Sequence, residues 1–268
     1  MTAPESSVLV DDDGPVRYLT LNRPEKLNAM DGAMFRRVFD LVDAAMADQT
    51  VHVVVLRGAS RSFSSGADLT PDDDSDDGHD TSDIVADMVS TRARVEDWMH
   101  LWSAPKPTIA AVHGHCLGSA MELIGACDFV ICADDAKIGM PEVRRFALPP
   151  TLGFLPLRVG VMKTKEILMC GRMYSGPEAV AMGLALESIP IEQLAARAKE
   201  LADSLASMSP DIAAIVKRSV NDWAETMGVH EAVQAGAQYH AMYHQVSEYA
   251  TLRKAAGRQG LKASIDET

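Results

Sequence analysis

The stretch from Pro107 to Glu142, PTIAAVHGHCLGSAMELIGACDFVICADDAKIGMPE, constrains the fold more than any other part of the chain. It reads as a buried strand (Thr108–Val112), a glycine-bearing turn (Gly114–Gly118), a short apolar helix (Ser119–Ala126) and a second strand (Phe129–Ala133). A final loop delivers Glu142. Glu122 sits inside the apolar run SAMELIGA. Burying a lone carboxylate is costly, and core carboxylates are rare unless paired or functional. The plain alternative is a Glu122 that faces solvent on an otherwise buried helix.

Around this stretch the chain alternates strands and helices. SVLV, the turn DDDGP and VRYLTLNR read as a β-hairpin. Asp31 can cap a helix in which Met34, Phe35, Val38, Phe39, Leu41, Val42, Ala45 and Met46 recur with a 3.6 period. VHVVVLRG is a β-branched run suited to a strand covered on both faces. SFSSGADL follows, with Gly66 permitting close backbone approach. Pro71–Asp80 is acidic and reads as a self-repelling loop, without the EF-hand pattern that calcium binding would need. Asp83–Ser103 reads as a helix and Leu152–Cys170 as one or two short helices. GRMYSGPEAVAMGLALESI reads as turn, helix and strand. From Ile191 to about Ala256 the pattern is helical, ending in a frayed tail. This order predicts an α/β core over residues 1–190 and a helical segment over 191–268.

Composition narrows the function classes. The 268 residues are 47% hydrophobic, enough for one large core, and carry a net charge of −13, a poor basis for holding nucleic acid. Cys116, Cys127, Cys132 and Cys170 show no CxxC spacing and read as reduced core residues. His113 and His115 beside Cys116 lack metal-ligand spacing, so no metal is expected. The amino terminus lacks a basic region followed by an apolar stretch, and no run of about 18 apolar residues occurs. A cytoplasmic protein without a membrane or nucleic-acid partner is the expectation.

Five segments, taken together, resemble the crotonase (enoyl-CoA hydratase/isomerase) superfamily. They are LNRPEKLNAM (Leu21–Met30), SFSSGADL (Ser62–Leu69), KPTIAAVHGHCLGSAMELIGACD, IGMPEV (Ile138–Val143) and GPEAVAMGLA (Gly176–Ala185), in the family's order and spacing. The resemblance implies ββα units forming two nearly perpendicular sheets, carboxyl-terminal helices that build a homotrimer or hexamer, and an acyl-CoA thioester substrate. No separate cofactor is implied, since CoA is part of the substrate. It implies that the main-chain N–H groups of Ala67 and Ser119 stabilise a thioester enolate, and that Glu122 and Glu142 form the hydratases' pair of acids. The family usually has glycine where Ser119 stands. A helix amino terminus favours negative charge there. For CoA, the matching segments place Lys26, Leu27, Ser65, Gly66, Asp68 and Leu69 along the nucleotide and pantetheine, with Arg253, Lys254 and Arg258 as further basic residues near the carboxyl end.

Two carboxylates flanking one water can supply both the base and the acid of hydration. The expected reaction is therefore syn addition of water to a 2-enoyl-CoA. One departure stands against it. Eight places after Glu142, where hydratases have a glycine whose N–H helps hold the water, the chain has Pro150, which has no N–H. Arg144 and Arg145 also add charge beside Glu142; either, if it faces the pocket, can pair with it or bind an acyl carboxylate, and at least one is expected on the surface, where arginine usually lies. A double-bond shift, a hydrolysis or a decarboxylation on the same enolate-binding site is the second reading, and a non-catalytic acyl-CoA-binding protein the third.

Overall fold

In the computed structural model, the protein is described over residues 6–69, 81, 83–144, 147–151 and 154–253. Pro71–Asp80, Arg145, Lys254, Arg258 and the carboxyl-terminal tail lie outside the described residues.

The hydrophobic runs read as strands build the larger sheet. β1 (Val8–Asp13) and β2 (Val16–Leu21) form the expected antiparallel hairpin, with Val8 paired to Leu21. Asp31 accepts the Met34 N–H at 2.8 Å and starts α1 (Gly32–Ala47), whose Met34, Val38, Leu41, Val42 and Ala45 are buried. β3 (Val53–Gly58) lies parallel to β2, and its four leading residues are buried, as a strand covered on both faces requires. α2 (Ile84–Ser103), capped by Asp83, leads to β4 (Thr108–Val112), parallel to β3 and buried throughout. β5 (His115–Leu117), α3 (Ser119–Ala126), β6 (Phe129–Ala133) and β7 (Lys137–Gly139) follow.

A 3₁₀ turn over Pro141–Arg144 carries Glu142. Then come α4 (Phe154–Cys170), broken at Gly160, β8 (Met173–Tyr174), α5 (Gly176–Ala181) and β9 (Glu187–Ile189). The six-stranded sheet runs β1-β2-β3-β4-β6-β9 and the three-stranded sheet β5-β7-β8. Three long helices, α6 (Ile191–Ala206), α7 (Pro210–Glu225) and α8 (Val229–His244), close the fold. The α/β class, the two sheets and the helical carboxyl-terminal region agree with the expectation.

Three expectations are corrected. The turn assigned to Gly114–Gly118 contains strand β5, and the loop before Glu142 contains β7; the two pair in parallel. Each is only three residues long and its partner lies over twenty residues away, so no local pattern announces it. Cys116, Cys127 and Cys132 are buried free thiols, but Cys170 is exposed, because it ends α4 on its solvent side. Burial pushes the Cys127 and Cys132 thiols up to about 12.

The late helices hold the middle of the chain in place. α6 packs against β3, β4 and β6. On α7, Lys217 Nζ lies 2.8 Å from Asp128 Oδ2, where α3 passes into β6; the two side chains are only 7% and 14% exposed. The same carboxylate accepts the Thr108 N–H and hydroxyl at 2.8 and 2.9 Å. On α8, Tyr243 donates its hydroxyl to Val143 O at 2.9 Å, and His240 Nδ1 bonds Leu148 O. Removing one partner of a nearly buried pair leaves an uncompensated charge. Asp128→Ala should therefore lower the unfolding free energy by about 3–5 kcal/mol, read by urea denaturation; a change within a few tenths would show that Lys217 finds water instead.

Candidate active site

Two short segments meet at the amino end of α3. Met30 donates its N–H to Gly66 O at 2.8 Å, and Asp68 donates its N–H to Met30 O at 2.9 Å. This is the pattern of a parallel bridge between Met30 and Ala67. It turns the N–H of Ala67 itself away from Met30, toward the opposite side. A second bridge joins Ser64 to Cys116. Gly66, at φ +93°, lies so close to the next layer that a Cβ would stand 2.5 Å from Leu117 O and 3.5 Å from Ser119 N. The Ala67 and Ser119 main chains are thus neighbours. Ser119 is the first residue of α3, where an N–H has no carbonyl one turn earlier to meet; Met121 and Glu122 are the first to donate back, both to Gly118 O.

One turn into α3, Glu122 is buried at 6% exposure. Its Oε1 accepts the Thr151 N–H at 3.0 Å and the Thr151 hydroxyl at 2.5 Å. Burial raises its pKa, opposed by the two Thr151 donors and by the positive charge of Arg94 on α2. The carboxylate of Glu142 comes from the other side. A Cβ on Gly118 would meet its Oε1 at 3.0 Å and its carboxyl carbon at 3.1 Å. The residue keeps some exposure, but its carboxyl group lies against Gly118 and within the field of Glu122. Desolvation first, and Glu122 after it, push Glu142 up to about 8. The two acids are therefore brought together beside the Ala67 and Ser119 main chains, and their environments differ.

The residues expected along CoA lie close together, with Ser65 and Gly66 buried and Lys26, Leu27, Asp68 and Leu69 half-buried. Leu27 and Asn28 adopt left-handed φ of 52° and 56°. Ser65 donates its N–H to Leu27 O at 3.0 Å and its hydroxyl to Lys26 O at 3.3 Å. Asp68 Oδ2 lies 2.8 Å from Lys26 Nζ and 2.9 Å from Arg23 Nη2. Leu69 is half-buried next to it. Lys26 thus meets an anion within the chain before any ligand arrives.

Other side chains prove to be elsewhere, or to matter more than their sequence signals suggest. Arg144 points away from Glu142: its Nη1 donates to Cys170 O at 3.2 Å and its stem packs on Gly171. Arg253 donates to the Tyr249 hydroxyl at 2.7 Å. Asn28 and Thr151 were not singled out from sequence. Asn28, wholly buried, accepts the Arg23 N–H and donates to Ala59 O and Ser62 O, while its carbonyl accepts from Ser64. Its left-handed φ, tolerated better by Asn than by most residues, is the one signal that sequence could have offered. Thr151 carries no such signal; only the tertiary fold brings it to Glu122. Among the described residues no cluster of His, Cys, Asp and Glu is arranged to hold a metal ion, and no helix is long and apolar enough to cross a membrane.

A family model described as enoyl-CoA hydratase/isomerase matches residues 12–260. The chain is 34% identical to a Rhizobium meliloti (strain 1021) protein named "Probable enoyl-CoA hydratase", over 80% of this chain and 81% of that one. It is 30% identical to the hydroxycinnamoyl-CoA hydratase-lyase of Pseudomonas fluorescens, over 97% and 92% of the two chains. Among solved structures, an enoyl-CoA hydratase/isomerase from Xanthobacter autotrophicus Py2 superposes with a TM-score of 0.84 at 31% identity, over 98% of this chain and 97% of that one. An enoyl-CoA hydratase from Mycobacterium smegmatis gives 0.88 at 25% identity, over 98% and 92%.

Gly118 offers a direct test of how Glu142 is held. Its φ of +53° with ψ of −121° is open only to glycine without strain, and an added methyl meets the Glu142 carboxylate. Gly118→Ala should cost about 1–3 kcal/mol of stability and move the Glu142 carboxyl toward solvent. A ¹³C NMR titration should then show its midpoint falling from about 8 toward the ordinary carboxylate range. An unmoved midpoint would mean that Gly118 does not set the environment of Glu142.

Proposed function

Because the chain belongs to the enoyl-CoA hydratase/isomerase (crotonase) family, with that family's acyl-CoA chemistry, we propose that it is an enoyl-CoA hydratase. The observation that carries this reading is the pairing of Glu122 and Glu142 at the open amino end of α3. A 2-enoyl-CoA would place its thioester oxygen between the N–H groups of Ala67 and Ser119. Burial raises the pKa of Glu122 and its two Thr151 donors oppose that rise by stabilising the carboxylate, while Glu142, raised to about 8, holds its proton at neutral pH. Glu122 would take a proton from water as the oxygen bonds to C3. The C2–C3 π electrons pass into the thioester enolate held by the two N–H groups, and Glu142 gives its proton to C2. Each preorganised donor of this kind is worth about 10²–10³ in rate.

The acyl-CoA would lie along Lys26, Leu27, Ser65, Gly66, Asp68 and Leu69, with no other cofactor. Assembly into a homotrimer is part of the proposal, resting on α7, whose Ile212, Ile215, Val216, Val220 and Trp223 are all at least half exposed along one face. Analytical ultracentrifugation should find three copies together, or six; a monomer at micromolar concentration would remove that part. Pro150 supports a second reading, in which the site handles an enolate without adding water, since the loop over the acids lacks an N–H there. Product analysis separates the two, because only hydration adds water and leaves the thioester intact.

Loss of the enone absorbance of crotonyl-CoA and of a longer 2-enoyl-CoA reads the reaction. Glu122→Gln should abolish it, and Glu142→Gln should lower kcat by about 10²–10⁴. Hydration needs Glu122 ionised and Glu142 protonated, so kcat/KM should rise as Glu122 loses its proton. It should then fall as Glu142 loses its own, near pH 8. An unchanged rate in Glu122→Gln would sink the assignment.

A further inference from the structure

Two donors from one residue converge on one oxygen of Glu122. The N–H of Thr151 and its hydroxyl reach Oε1 at 3.0 and 2.5 Å, and Thr151 is only 2% exposed. The chain leading to it is held on α8. Pro150, just before it, lays its carbonyl on α8 so closely that a Cβ on Gly236 would stand 1.9 Å from the oxygen. His240 bonds the carbonyl of Leu148, and Tyr243 that of Val143. The same loop begins at Glu142, whose carbonyl accepts the Ala147 N–H at 3.1 Å.

We propose that Thr151 is a positioning residue that divides the two oxygens of Glu122: it occupies Oε1 with two donors and leaves Oε2 to receive the proton from water. This rests on the hydratase reading. It also gives the Pro150 loop a reason. Pro150 has no N–H to offer, and both donors of the next residue go to the base itself.

Other charged and titratable groups surround α3. Arg94 acts from α2, and Glu142 from the 3₁₀ turn. His115 of β5 is engaged by Ser62, and Arg158 of α4 sits at the far end of the helix on Gly125 O and Cys127 O. On α8, burial holds His240 neutral, down to about 3, and His244 is bonded to Asp87. All of them are shared by the wild type and a Thr151 variant, so the difference between the two isolates the threonine.

Thr151→Val keeps the shape and the N–H and removes only the hydroxyl donor. A hydrogen bond to the charged form favours it, so the loss raises the pKa of Glu122. In protein labelled with ¹³C at the glutamate carboxyls, with Glu122→Gln to assign the signal, the Glu122 midpoint should move up by about one to two pH units. Thr151→Ser should restore it. With 2-enoyl-CoA, Thr151→Val should lower kcat about tenfold or more with KM little changed, and the acid limb of the profile should shift by the same amount as the titration. A threonine that merely fills space predicts no shift in the isosteric valine variant, and an unmoved midpoint overturns the proposal. Should valine prevent folding, Thr151→Ala gives the same titration reading. The titration needs no turnover: a wild type inactive on 2-enoyl-CoA removes the hydratase reading, while the midpoint still decides whether Thr151 holds Glu122.

Discussion

A carboxylate withdrawn from water must be given donors or lose its charge. That constraint organises this molecule. Glu122 lies within the apolar face of α3, and its donors come from Thr151, on a loop that neither the helix nor the sheets would position alone. The loop needs α8 to hold it, through Gly236, His240 and Tyr243. α8 in turn packs on α2, where His244 of the one meets the buried Asp87 of the other at 2.6 Å. A chain of polar contacts thus runs from the interior of the helix to the carboxyl-terminal region.

α3 is treated differently at its two ends. At the rear, Arg158 places its guanidinium on the carbonyls of Gly125 and Cys127, where a cation complements the negative end of the helix dipole. Asp128 and Lys217 lock the turn that follows. At the front, Gly118 provides no side-chain cap, so the first N–H groups are left for something else to meet. A helix satisfied behind and open in front favours negative charge at its start, where Gly66, next to Ala67, approaches Ser119. Glu142 lies against the same front end and is raised to about 8 by the desolvation there and by its neighbour Glu122.

Much of this could be read from residue order. The β-branched runs, the Asp31 cap, the strands at Thr108–Val112 and Phe129–Ala133 and the helix at Ser119–Ala126 appear where their patterns place them, because each is set by local burial and capping. The conjunction of Glu122 with Glu142 was legible too, through the spacing of motifs with which a family resemblance is recognised. What escaped has a common cause. β5 and β7 are short and find each other over a distance in sequence that no periodicity spans. Thr151 is an unremarkable residue after two prolines, and only the completed fold turns it toward Glu122. Arg144, two places after Glu142, could be read either as its partner or as a surface residue, and the 3₁₀ turn leaves it exposed on the carbonyl of Cys170.

The bracing of the 143–151 loop by α8 has a consequence for how the protein is made. The strands, α3 and both acids emerge from the ribosome first, and the helix that seats the loop over them is made after them. Until α8 arrives, Glu122 has no fixed Thr151 to meet, and its burial would favour the protonated form. The order of synthesis therefore places Glu122 and Glu142 in the chain before the helix that seats Thr151 on Glu122.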